Sequence, residues 1–188
     1  IVLKSKQFCN LSEIVARADD TEETLTKKAY LAAILGTYQS TLTNFPYLSK
    51  EWKEHCDEDR LLGVSITGQW DSKVVRNADV MRKLRDMAVK TNQEYAKRFG
   101  VNPSTSVTCV KPSGTVSQLV DASLGMHPRH APYYIRRIRI SATDNLFKML
   151  QDQGVAYYPE VGQDPKNATT YVLEFPVVAP DGSIFKDD

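Results

Sequence analysis

Two stretches of this chain combine residue types that could do chemistry. The first runs Cys109-Val110-Lys111-Pro112-Ser113-Gly114-Thr115-Val116-Ser117. Proline stops the apolar run before it, and small residues then open a helix whose unpaired N–H groups and positive dipole end suit an anion, typically a phosphate. Ser, Gly and Thr there are equally ordinary helix caps, and the Walker spacing G-x-x-x-x-G-K-[ST] is absent, so both readings stand. Downstream, Gly125-Met126-His127-Pro128-Arg129 forms a loop. Arg129 could reach an anion beside His127, or the loop is a turn packed on the following strand. The second stretch is Gln7-Phe8-Cys9-Asn10-Leu11. Cys9 is either an inert buried residue or a redox thiol that pairs with a partner elsewhere.

Other polar clusters invite plainer readings. His55 and Cys56 are adjacent and lead into Asp57, Glu58 and Asp59. Neighbours on a helix point in different directions and no second cysteine lies at zinc-ligand spacing, so a solvated acidic helix end is expected and no metal site. Cys109 lies in a predicted strand, where core packing is expected. Arg136, Arg137 and Arg139 fit an exposed strand face.

The elements that must position these residues follow from periodicity. Residues 1–9 suggest a short strand leading to Cys9. Asp20 and Glu23 have capping-box spacing, and the apolar positions after them predict a helix over 20–43, ended by Asn44-Phe45-Pro46. A shorter helix is predicted over 49–60, with Trp52 on its buried side. A buried strand is predicted over 61–66, with a turn at Thr67-Gly68. The stripe Val80, Leu84, Met87, Ala88, Thr91 and Tyr95 predicts a helix over 77–99 stopped by Gly100. Further expectations are a strand over 104–110, a helix over 114–122, a strand over 133–140, a helix over 144–153, a loop over 159–168 and a strand over 169–177. Alternating strands and helices predict an α/β fold with parallel pairing, part of a larger barrel or sheet.

Composition excludes several classes. At 188 residues the chain is long enough for one domain with a real core. Its net charge of +1 offers no field for nucleic acid or an acidic membrane surface. No apolar run approaches the ~20 residues needed to span a bilayer. Three scattered cysteines cannot form a disulfide framework, so a reducing, cytoplasmic setting is expected. The chain opens on Ile1-Val2-Leu3 without a methionine and closes just after a strand-like run. Both ends read as cut, which suggests a piece of a longer protein.

Five blocks, in order, resemble the adenosylcobalamin-dependent (class II) ribonucleotide reductases, best the monomeric, triphosphate-reducing branch. They are Gln7–Ile14, Gln39–Phe45, Leu62–Gly68, Lys111–Ser117 and Gly125–Arg129. The resemblance covers about the first 145 residues well and the tail weakly. It implies a ten-stranded α/β barrel of which residues 1–188 would be the C-terminal part, mostly the second half. It further implies a thiyl-radical reduction of ribonucleoside triphosphates with adenosylcobalamin as cofactor. Cys9 matches one of the two cysteines that reduce the substrate by forming a disulfide. Pro112, Ser113, Gly114, Thr115, Val116 and Ser117 match the helix start that holds its phosphates.

The family's Asn-x-Cys-x-Glu radical motif, the partner of Cys9 and the C-terminal cysteine pair that recharges the site are not in this chain. It is therefore expected to be inactive alone. Its expected partners are a ribonucleoside triphosphate, a thioredoxin-type protein or dithiol reductant, and the remainder of the reductase, with neither nucleic acid nor membrane. The alternative is a non-catalytic nucleotide-binding module, or a complementing piece of a split reductase.

Overall fold

In the computed structural model, which describes residues 1–187, the elements run β1 (Asn10–Val15), α1 (Glu22–Gln39), α2 (Lys50–Asp59), β2 (Leu62–Thr67), α3 (Ala78–Phe99), α4 (Val116–Leu119), β3 (Tyr133–Ser141), α5 (Asn145–Asp152), β4 (Tyr157–Pro159) and β5 (Thr170–Val178). They fall into two compact units, 1–129 and 130–187. No helix among the described residues is long and apolar enough to cross a membrane.

In the first unit β1 and β2 pair in parallel, Asn10 opposite Leu62 through Val15 opposite Thr67. Strand alternation splits this sheet into two faces of different character. On one face Ile14, Ala16, Leu62 and Val64 are buried. They pack with Leu25, Ala29, Ala32 and Ala33 of α1 and Val80, Leu84 and Ala88 of α3 into the core of the unit. Burying Leu62 alone contributes about 2 kcal/mol. On the other face stand Glu13, Ser65 and Thr67, with the bare backbone of Gly63 between Cys9 and Cys109.

The helices begin where side chains can satisfy their first N–H groups. Thr21, not Asp20, caps α1, through a reciprocal box with Thr24. Asp20 instead accepts from the Arg17 N–H, the Thr24 hydroxyl and the Lys28 ammonium, tying the end of β1 to α1. Asn77 caps α3, and Gly100, the stop that the sequence predicts, closes it in the left-handed region. Buried Asn92 of α3 donates to Thr37 and Ser104 side chains and accepts from the Ser104 N–H, so a polar group inside the unit has all its main partners.

Several expected elements are shorter or displaced. Residues 1–9 are not a strand: a turn with Lys6 at φ 56° breaks the run, and β1 starts only after Cys9. The expected strand over 104–110 is reduced to one parallel bridge between Thr108 and Val64. It is held by bonds from the Val64 N–H to the Val107 carbonyl and from the Cys109 N–H to the Val64 carbonyl. The helix expected over 114–122 is the single turn α4. Ser113 and Asp121 take positive φ on either side of it, a conformation no helix continues through.

The second unit departs from the parallel expectation. β3 pairs antiparallel with β5, Tyr133 opposite Val178, and β5 pairs antiparallel with the short β4, which the sequence reading left unassigned. Its small core is Phe147 of α5 stacked on Tyr171 at 4.7 Å, with Tyr157 edge-on to both and Leu173 buried beside them. On β3, Arg137 and Arg139 are exposed and pair with Glu174 and Glu160, in line with a solvated strand face.

Candidate active site

Cys9 is held by the residues just before it. The side chain of Gln7, itself buried, accepts from the Lys4 N–H and donates to the His55 carbonyl and to Asp59. Phe8 stacks on Trp52 at 4.6 Å and meets Phe45 edge-on, and its N–H donates to the Cys56 sulfur. The backbone is thus pinned to α2 before β1 begins. The acidic end of α2 is more than a solvated tail, because Asp59 takes part in this anchor. His55 meets the Ser5 carbonyl through Nδ1 while Cys56 turns toward Phe8, so the two neighbours serve different partners.

Cys9 lines a cavity of about 400 Å³ together with Leu3, Phe8, Leu11, Cys109 and Lys111. Cys109 is therefore not simply packed in a core. Gly63 makes the arrangement possible: a Cβ there would stand 2.9 Å from the Cys109 sulfur and 3.4 Å from the Cys9 sulfur. Both thiols are free and half-buried. Burial pushes the Cys9 thiol above the ordinary range; the neighbouring Cys109 adds to this and Lys111 opposes it. Burial likewise raises Cys109. Cys109 and Cys9 nevertheless lie on segments flanking β2 on opposite sides. The two free thiols share one cavity.

Lys111 leads directly into the Pro112–Ser117 turn. Gly114, Thr115 and Val116 are exposed, Ser113 is half-buried, and Ser117 is fully buried with its N–H bonded to the Ser113 carbonyl. The Ser113 hydroxyl donates to Glu13 of β1. A Cβ on Gly114 would meet nothing within 4 Å, so the outer side of the turn is open.

The Gly125–Arg129 loop braces this turn. Gly125 has φ 50°, and a Cβ there would lie 2.6 Å from the Lys111 carbonyl oxygen and 3.2 Å from that of Pro112. Only glycine permits that approach. The Gly125 N–H donates to Thr67 Oγ1, and the Trp70 indole donates to the Met126 carbonyl. Arg129 is 6% exposed; its guanidinium bonds Asp71, the Asp121 side chain and the Asp121 carbonyl. His127 is exposed on the same loop. The structure thus gives Arg129 a bracing set of partners that the sequence did not indicate, because Asp71 lies 58 residues away.

The sequence reading also missed Glu13, Ser65 and Gly63. The alternation of β1 and β2 was the one signal that could have placed them on the face of Cys9.

This face, a half-exposed thiol beside a small-residue turn on a parallel β-α sheet, defines a class when set against known proteins. No family model matches the chain. In sequence and fold it is similar to ribonucleotide reductases. A solved B-12-dependent (class II) ribonucleotide reductase superposes with a TM-score of 0.65 at 28% identity, covering 95% of this chain and 28% of that one. The alpha subunit of the Actinobacillus ureae class Id enzyme shares the fold, with a TM-score of 0.50 at 20% identity over 78% of this chain and 32% of that one.

Within that class the chain matches the adenosylcobalamin-dependent ribonucleoside-triphosphate reductases. It is 29% identical to the Lactobacillus leichmannii protein over 95% of its length and 41% identical to that of Levilactobacillus brevis over 51%. It spans 27% of the length of the first and 12% of the second.

Proposed function

We propose that this chain supplies the substrate-phosphate turn and one of the two reducing thiols of an adenosylcobalamin-dependent ribonucleoside-triphosphate reductase, acting with the remainder of a longer reductase. The observation that carries this reading is the cavity lined by both Cys9 and Cys109–Lys111. A nucleotide with its phosphates on the backbone of exposed Thr115 and Val116 would extend its sugar along the same face toward Cys9. The parallel pair β1 and β2 is then part of a ten-stranded α/β barrel whose other strands are contributed elsewhere, and the setting is the cytoplasm.

The chemistry balances on thiols. A ribonucleotide and two thiols give a 2′-deoxyribonucleotide, water from the departing 2′-hydroxyl, and a disulfide that carries away the two electrons' worth of oxidation. Cys9 is one thiol. Cys56 is buried behind Phe8, and by the resemblance the second thiol comes from the rest of the protein. A thioredoxin-type protein or a small dithiol returns the disulfide to thiols by exchange. Burial pushes the Cys9 thiol up, which favours the protonated form that can deliver a proton. No group of three or more His, Cys, Asp or Glu able to hold a metal ion occurs among the described residues. No residue of this chain is assigned to the cobalamin. Within the Gly125–Arg129 loop, Arg129 braces the turn and exposed His127 is the side chain that can approach an anion.

The test is Cys9→Ser in the full-length reductase. Expected is cleavage of adenosylcobalamin with loss of multiple turnover; unchanged steady-state turnover removes Cys9 from the reducing pair. The chain alone, given cobalamin and a dithiol, is expected to form no deoxynucleotide.

A further inference from the structure

We propose that Glu13 is the positioning residue of the 112–117 turn, and that Ser113 is the anchor it holds and not a phosphate ligand. The inference rests on the phosphate reading above and refines it. Glu13 Oε1 accepts the Ser65 hydroxyl at 2.9 Å and also accepts the Ser113 hydroxyl. Ser65 is 3% exposed, so the carboxylate is fixed from inside the sheet.

Ser113 sits at φ 55°, a left-handed conformation that a residue with a side chain holds only when its surroundings impose it. The bond to Glu13, 100 residues away in sequence, is that imposition. A serine hydroxyl has one hydrogen to give, and here it is given to the carboxylate. Phosphate oxygens are then left to the backbone N–H groups of Thr115 and Val116.

Charge sharpens the argument. A carboxylate beside an anion site opposes the anion. Glu13 must therefore act through the two bonds it accepts, and a neutral amide oxygen in its place can accept both without the repulsion. Its place on β1 also links the turn to the strand that follows Cys9, so phosphate and thiol are set from one element.

The experiment measures KM for a ribonucleoside triphosphate and kcat in the full-length reductase. Glu13→Ala is expected to raise KM about tenfold, the size of one lost charge-assisted bond, with kcat within about twofold. Glu13→Gln should give a KM at or below the unsubstituted value. Ser113→Ala should match Glu13→Ala, and the double variant should be no worse than either alone. An unchanged KM for Glu13→Ala, additive single effects, or a Glu13→Gln as impaired as the alanine variant each overturns the proposal.

Gly114→Val separates the two levels of the reading, since its side chain enters open space on the outer side of the turn. If it raises KM while Glu13→Ala does not, only the role of Glu13 fails. If neither moves KM, the phosphate turn itself is wrong. Should the alanine variant not fold, Glu13→Gln and Ser113→Ala still decide the matter.

Discussion

At the scale of single residues, the three cysteines differ in what surrounds them, and that difference is measurable. Cys9 and Cys109 line a cavity, whereas Cys56 is 7% exposed with its sulfur against the Phe8 N–H. Alkylation of the folded chain with iodoacetamide should therefore modify Cys9 and Cys109 and spare Cys56 until denaturant is added. The thiolate is the attacking form. Burial raises both cavity thiols, so their alkylation at pH 8 should be slower than that of a free thiol and climb only at more alkaline pH. The same shift has a stability consequence. The unfolded chain loses these protons first as pH rises, so the folded state keeps this contribution below the ordinary thiol pKa and loses stability through the more alkaline range. Equal reaction of all three cysteines at pH 8 would contradict this assignment. Cys9 was legible as a candidate because its flanking residues carry a resemblance. Cys109 was not, since its exposure depends on the missing Cβ of Gly63, one segment away in the sheet.

At the scale of elements, the amphipathic helix α3 was legible almost to the residue, spanning Ala78–Phe99 with Val80, Leu84 and Ala88 buried as their spacing requires, whereas α1 ends at Gln39, short of the expected 43. The pieces that build the site were not, because their conformation is set by distant partners. The turn at 112–117 looks in sequence like the start of a long helix. It is cut to one turn by the left-handed residues Ser113 and Asp121, which Glu13 and Arg129 hold in place. Gly125 provides a test of that bracing. An alanine there combines a positive φ with a Cβ 2.6 Å from the Lys111 carbonyl oxygen, a backbone atom that cannot swing aside. Gly125→Ala should cost about 2 kcal/mol or more, seen as a lower Tm, and should raise KM for the triphosphate substrate more than it changes kcat. A melt and a KM that both match the unsubstituted protein would mean the loop does not support the turn. Asp20 shows a similar gap between sequence and structure. Its spacing to Glu23 suggests a cap, yet its carboxylate serves Arg17, Thr24 and Lys28. Burial pushes that group up, but the three donors outweigh it and hold it below the usual carboxylate range. This contribution is present above the unfolded pKa and lost as pH falls through the lower folded one. Asp20→Asn should therefore lower Tm at neutral pH and flatten its fall under acid conditions.

At the scale of the whole molecule, the α/β expectation holds for the first unit and its parallel pair, while antiparallel pairing in the second was invisible to periodicity. A strand such as β3, alternating Tyr or Arg with Ile, reads the same whichever way its neighbour runs. The division into 1–129 and 130–187 yields a prediction about folding. The core of the first unit, from Ile14 to Val107, closes within that unit, as do the Gln7–His55, Ser113–Glu13 and Gly125–Thr67 bonds around the site. A chain ending at Arg129 keeps α1, α2 and α3, the partners of Asn92, and the Asp71–Arg129–Asp121 cluster. It should therefore show a helical circular dichroism spectrum, one cooperative melt and protection of Cys56 from alkylation. Residues 130–187 have few fully buried large side chains, chiefly Phe147 and Leu173. A unit this small buries too little apolar surface to offset its chain entropy comfortably, so alone it should melt broadly or be unfolded. Failure of 1–129 to fold would mean that the second unit stabilises the first, and the site could then not be treated as the property of residues 1–129 alone. In a chain that does fold, exposed Leu11, Leu31 and Leu35 beside the outer edge of β1 offer an apolar margin to another copy. Sedimentation should accordingly show association that grows with concentration and weakens when Leu31 and Leu35 are replaced by lysine. Monomeric behaviour at every concentration would show that this margin is too small to drive pairing.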